Sequence, residues 1–231
     1  MKKGCLAGLF SVLLIAGAAV GLYLYKYPNY TYRYRLTVDV EIDGQLHSGS
    51  SVIEVTWHGG PEIADSGGYG PTVRGQAAVV DLTEKGVLVA ALANGERWGA
   101  PDTYGGPWGA LWLFPRAFNK GTSVNDLRGW SPPSGKRKLR DDNLPLLLWF
   151  GDRGDPAGGQ PITQADIPRV FGRSARLIGV FVEVTSDPVR VDISKTLPWV
   201  GRLTHVFPEP HQVYLQNGMA VTRGLFIGGA S

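Results

Sequence analysis

The chain holds one cysteine, which rules out an internal disulfide framework and a thiolate zinc cluster. Its four histidines are scattered (His47, His58, His205, His211), so an all-histidine metal site is not expected either. Charge is sparse, at 19% of 231 residues, and no acid precedes Asp39. Three basic residues, Lys2, Lys3 and Lys26, flank an N-terminal apolar run. Setting them aside leaves 20 basic residues against 20 acidic ones. A general nucleic-acid binder needs a positive face to displace counterions from phosphates. No nucleic-acid partner is expected.

Local signatures of catalysis are missing as well. The chain has no G-x-S-x-G elbow, no H-E-x-x-H helix and no S-x-x-K. The stretch Gly129 to Lys136 approaches a phosphate loop. It places five residues between its glycines instead of four, and Arg137 stands where Ser or Thr would hold magnesium. The Asp152 to Gly159 segment contains Arg-Gly-Asp but lacks the alternating ligands and closing glutamate of a calcium loop. No cofactor, metal site or catalytic residue is expected.

What the chain does have is apolar content, 43% of residues, enough for an ordered core. Gly and Pro, 32 and 16 in number, stay below the share that favours disorder. Cys5 to Tyr25 runs without a charge, and as a helix it spans about 31 Å, matching a bilayer core of ~30 Å. Tyr23, Tyr25, Tyr27 and Tyr30 gather at its end, where such rings favour the headgroup zone. The expected division is an anchor at 1–27 and an exported domain at 28–231. The rival reading is a signal peptide cleaved after Ala16-Gly17-Ala18.

The exported part reads as mainly β, a single antiparallel β-rich domain with short helical turns behind one transmembrane helix. From Tyr30 to Ile42 even positions are apolar and odd positions polar, the period of a half-buried strand. Asp43-Gly44 then predicts a two-residue hairpin with paired positions summing to 87. Tyr34 faces Ile53, Tyr32 faces Val55, and Arg33 meets Glu54 on the other side. His47 falls opposite Val40 in this register and reads as a structural histidine. Further strands are expected at Val73 to Leu82, Val87 to Leu92, Leu146 to Phe150 and Arg176 to Val184. The Val87 to Leu92 run has the continuous apolarity of a strand buried on both faces. A last hairpin pivots on Asn217-Gly218 and pairs Tyr214 with Val221. Thr163 and Asp166 form a capping signature, with Pro168 expected to stop the turn.

The region from Trp98 to Trp112 is the most suggestive chemically. Aromatic faces beside carboxylates stack on sugar rings, so the candidate glycan contacts are Glu96, Trp98, Asp102, Tyr104, Trp108 and Trp112. Against that stands a glycine loop whose aromatics fold back onto the core. Acid pairs for glycan cleavage would come from Glu96, Asp102, Asp141, Asp142, Asp152 or Asp155. Asp141-Asp142 follows a basic run and reads as a self-neutralising loop.

Three stretches resemble a family of proteobacterial proteins without an assigned function. They are Tyr34 to Val38 with Gly49 to Val55; Val73 to Leu82; and Val170-Phe171-Gly172 through to Leu197-Pro198-Trp199. The resemblance implies an N-terminal apolar segment and an exported bacterial domain, and carries no site residues with it. The expected protein is a non-enzymatic envelope protein of the bacterial inner membrane, single-pass, with its domain periplasmic. Its expected partners are the bilayer, through Cys5 to Tyr25, and an envelope protein or the cell wall. The alternatives are a glycan-binding or glycan-cleaving module and a hydrolase of unrecognised type.

The hairpin register makes a test. Tyr32→Asp puts an unpaired charge on the buried face and is expected to cost several kcal/mol in a urea melt. Thr31→Asp, on the opposite face, should cost under about 1 kcal/mol. Equal losses would show the two faces to be misassigned.

Overall fold

The computed structural model describes residues 2–60, 69–95, 108–121, 124–127, 129–203 and 213–229. Side chains at 2–9, 11, 69, 108, 124, 125 and 213 are outside that description. The chain divides into two compact units, residues 1–31 with 56–71, and residues 32–55 with 72–231.

Helix α1 (Lys2–Lys26) belongs to the first unit. Its end is marked by a Tyr27 N–H bond to the Tyr23 carbonyl and by the two tyrosine rings 5.1 Å apart. Among the described residues no helix is long and apolar enough to cross a membrane. Within the expected span Cys5 to Tyr25, the side chains at 5–9 and 11 lie outside the description.

Chain order after α1 is β1 (Tyr30–Ile42), β2 (Gln45–Gly59), β3 (Tyr69–Gln76), β4 (Ala78–Asp81) and β5 (Val87–Asn94). Next come α2 (Trp108–Ala117), α3 (Val124–Leu127), β6 (Arg137–Lys138), β7 (Pro145–Phe150) and β8 (Gln160–Ile162). The remainder is α4 (Ile167–Phe171), β9 (Arg176–Val184), β10 (Val213–Tyr214), β11 (Ala220–Val221) and β12 (Ile227–Gly228). A six-stranded sheet runs β12-β3-β2-β1-β9-β6, a four-stranded sheet β4-β5-β7-β8, and β10-β11 form a small ribbon. The fold is mainly antiparallel β with few short helices.

The first hairpin has the expected register. Asp43 (φ 52°) and Gly44 (φ 76°) both adopt positive φ, which defines the type I′ turn. Thr31 meets Thr56 at 3.0 Å and Ser48 donates to Asp39 at 2.6 Å, both pairs summing to 87. Arg33 pairs with Glu54 in the same register, and Arg74 reaches Glu54 from β3 at 3.0 Å. Glu54 is therefore a buried carboxylate held between two guanidiniums, which offsets its desolvation. Every even position from Tyr32 to Ile42 is buried.

The expected strand Val73 to Leu82 is instead two strands in two sheets. The chain leaves the larger sheet at Gln76 and joins the smaller one at Ala78. Gly75 makes this switch at φ 139°, and a Cβ there would lie 2.7 Å from the Val52 carbonyl oxygen. Only glycine fits both demands. The Ala77 N–H, freed from either ladder, donates to the Phe226 carbonyl at 2.8 Å. β5 is buried along its whole length, as a central strand must be.

Two smaller expectations shift. The last hairpin pairs Tyr214 with Ala220, not Val221. Gly218 alone takes positive φ (82°), and its N–H closes a turn to Leu215, so the loop carries one more residue than a type I′ turn. Pro168 does not stop the Thr163 turn. It sits in the first turn of α4, where its missing N–H costs nothing, and the helix runs on to Phe171 before Gly172 (φ 115°).

Helix α2 lies outside every sequence expectation. It packs on β5, β7 and β9 and buries Ala110, Leu111, Leu113 and Phe114. Pro115 inside it lacks the N–H that would bond the Leu111 carbonyl. Tyr32 supplies the donor, its hydroxyl 3.1 Å from that oxygen, and Tyr34 donates to Ala110 at 2.6 Å. Burial pushes the Tyr34 phenol well above its ordinary pKa, with Tyr32 adding to the shift, so it stays a donor.

Removing the Tyr32 hydroxyl (Tyr32→Phe) is expected to cost about 1–3 kcal/mol, because a buried carbonyl loses its partner. In a Pro115→Ala background the new N–H serves Leu111, and the same substitution should cost less than half as much. A double-mutant cycle by urea denaturation measures the difference; additive effects would dissociate Tyr32 from the proline.

Candidate binding cleft

A cleft of about 810 Å³ opens between the two sheets in the second unit. Its floor is Pro145 and Leu147 of β7, Pro161 and Ile162 of β8, and Leu177 of β9; Leu146 also lines it, but its side chain joins the core on the other face of the sheet. Leu147 and Ile162 are cross-strand partners on one face of the smaller sheet. Leu148 and Phe150, on the other face, join the cluster containing Trp199 and Phe226.

Leu177 reaches the cleft through a bulge in β9. Val38 pairs with Val180 and Asp39 with Gly179, but Val40 pairs with Leu177, leaving Ile178 as the extra residue. The phase change turns Leu177 inward, and Arg176 is left to pair with Glu41 at 3.0 Å.

Polar groups form the rim. Asp141 stands on one side, at the start of a 3-10 turn spanning Asp141–Asn143. The next acid, Asp142, pairs with Arg140 at 3.2 Å, and Arg116 of α2 donates to Asn143 at 3.3 Å. Thr163, Gln164, Ala165 and Pro168 make another side. That wall is fixed by Asp166, which accepts from Thr163 N–H at 2.9 Å, Thr163 hydroxyl at 2.8 Å and Arg169 at 2.8 Å. The Arg169 hydrogen bond, then the two Thr163 donors, hold its carboxyl down at about 2. A floor of apolar side chains with a few polar groups at the edge is the usual make-up of a small-molecule site, and the volume lies within the usual range.

The candidate glycan contacts Glu96, Trp98, Asp102 and Tyr104 lie outside the described residues. Trp108 begins α2, with its side chain outside the description. Trp112 is half-buried on α2, away from the cleft lining, with the Arg116 guanidinium over its ring at 5.2 Å. Of the other acids, Asp152 caps the Gly154 N–H at 2.7 Å and Asp155 caps the Ala157 N–H at 2.9 Å, so both are spent on turns. Arg153 between them pairs with Asp81. His47 lies 3.1 Å from the Asp81 carbonyl oxygen. Among the described residues no group of three or more His, Cys, Asp or Glu is placed to hold a metal.

The cleft itself was not among the sequence expectations. Two signals pointed toward it: the Thr163–Asp166 capping pair, and Gly179 interrupting the apolar alternation of β9, a common mark of a bulge. No protein-family model, curated protein or solved structure matches the chain.

Asp166 gives a pH test of the wall. Its folded pKa lies below the ordinary 3.8, so its contribution to stability is full above that value and is lost as pH falls through about 2. A carboxyl-carbon NMR titration should place its midpoint near 2, and Arg169→Ala should move it upward. A wild-type midpoint at the ordinary value would rule out the triple hydrogen bond.

Proposed function

We propose that the protein is a membrane-anchored envelope protein that binds a partner rather than transforming one. Its N-terminal helix is the anchor in a bacterial inner membrane, and its β-rich domain faces the periplasm. The observation that carries this reading is the surface of α1. Phe10, Val12, Leu13, Leu14, Ile15, Val20, Leu22 and Leu24 are each at least 58% exposed. Successive helical residues point ~100° apart, so positions 12–15 alone cover every side of the helix. A helix apolar all round belongs in a core or in a bilayer, and these apolar side chains are exposed. The uncharged run from Cys5 to Tyr25, with lysines at both ends, supports the bilayer. The resemblance to exported proteobacterial proteins agrees with it.

Binding is favoured over catalysis by the use the domain makes of its polar groups. Asp142, Asp152, Asp155, Asp166 and Glu54 are each engaged in an ion pair or a turn. The cleft beside them is apolar at its floor.

Cell fractionation tests the anchor. The full-length chain should sediment with membranes and resist carbonate and high salt, and protease added to spheroplasts should digest the domain. A soluble species beginning at Ala19 would overturn the anchor in favour of secretion after signal-peptide cleavage.

A further inference from the structure

We infer that the cleft between the two sheets holds the apolar chain of a single-chain amphiphile whose polar end carries no negative charge. The inference deepens the binding role proposed above and rests on it. Its first support is the floor: Leu147, Ile162 and Leu177 offer no hydrogen bond from their side chains, so a ligand segment seated there gains by leaving water and by nothing else.

The second support is the charge at the rim. Arg176 lines the cleft but is already matched by Glu41 at 3.0 Å. Asp141 lines it too, and among the described residues no cation pairs with it, since Arg140 is taken by Asp142. Among the described residues the rim therefore holds one uncompensated negative charge, Asp141. A carboxylate or phosphate head is repelled there, whereas a hydroxyl head donates a hydrogen bond to Asp141 and meets the amide of Gln164. Because the rim is exposed, salt screens the repulsion and leaves a preference of about fivefold.

The experiment uses the full chain in vesicles of phosphatidylethanolamine and phosphatidylglycerol. The probe is a long-chain alcohol bearing a diazirine and a terminal alkyne; after irradiation, labelled peptides are mapped. Label is expected in two places, α1 and the cleft segments 141–147, 161–168 and 176–177. Ala165→Trp fills the mouth from an exposed position and should cut cleft labelling at least tenfold, leaving α1 labelling and the melting temperature unchanged. Gln164→Trp is a second block at an exposed position. The matching carboxylic acid should label the cleft about fivefold less, and Asp141→Asn should erase that difference. Label on α1 with none in the cleft would overturn this inference and keep the anchor. Label in the cleft with α1 bare would keep this inference and remove the anchor. Cleft labelling that survives both tryptophan blocks, or an acid that labels as well as the alcohol, would also overturn it.

Discussion

A proline inside a buried helix creates a debt in hydrogen bonding that only a neighbouring element can settle. In α2, Pro115 leaves the Leu111 carbonyl without its backbone donor, and the carbonyl is too deep for water to serve it. The Tyr32 hydroxyl from β1 serves it instead. That bond fixes where α2 must lie, and the rings around it make the position unique. Phe114 stacks on Tyr34 at 5.3 Å and on Tyr32 at 5.6 Å, with Trp130 at 5.7 Å and Phe118 at 5.1 Å. From there the constraint passes to the cleft. Arg116, two residues beyond the buried Phe114, holds Asn143, whose turn carries Asp141 at the rim.

How much of this was legible follows from where each signal resides. The first hairpin could be read to the residue because strict alternation and Asp43-Gly44 agree, and a one-residue slip would expose Tyr32 and Tyr34. β5 and β9 were legible for a similar reason, since their apolar pattern is strong over eight and nine residues. The strand switch at Gln76 was hidden because both halves of 73–82 read as strand, Val73 to Gln76 with polar residues at alternate positions and Ala77 to Val80 as an apolar run, and nothing local marks a change of sheet. Helix α2 was hidden because its apolar residues run on without a polar face and its proline argues against a helix. The bond from Tyr32 overrides that argument, and nothing local records it.

The cleft was less legible still, because its lining comes from separate elements joined only by the fold. Its walls are held by polar contacts set back from the floor: the Asp166 cluster on one side, Arg176 with Glu41 on another, and Arg140 with Asp142 at the turn. Each of these pairs is partly exposed and contributes little to stability by itself. Their effect is positional, since they anchor the short turns at 141–143 and 164–166 on either side of the opening.

The bulge at Ile178 is what reconciles an apolar floor with a charged rim on one strand. Without it, strict alternation from Val182 and Val180 would carry Arg176 inward, opposite the buried end of β1, and turn Leu177 to solvent. An inward guanidinium there would sit against Leu147 and Ile162 and would need a buried acid to match it. One extra residue reverses both side chains, so that Leu177 completes the floor and Arg176 meets Glu41 outside it. Gly179 makes room for the irregularity: a Cβ there would press on the Lys138 and Phe181 side chains, and Lys138 donates to the freed Ile178 carbonyl at 2.7 Å. The larger sheet thereby keeps its ladder on both sides of the bulge and gives the first residues of β9, Arg176 and Leu177, to the cleft, so the same strand both closes the core and shapes the site.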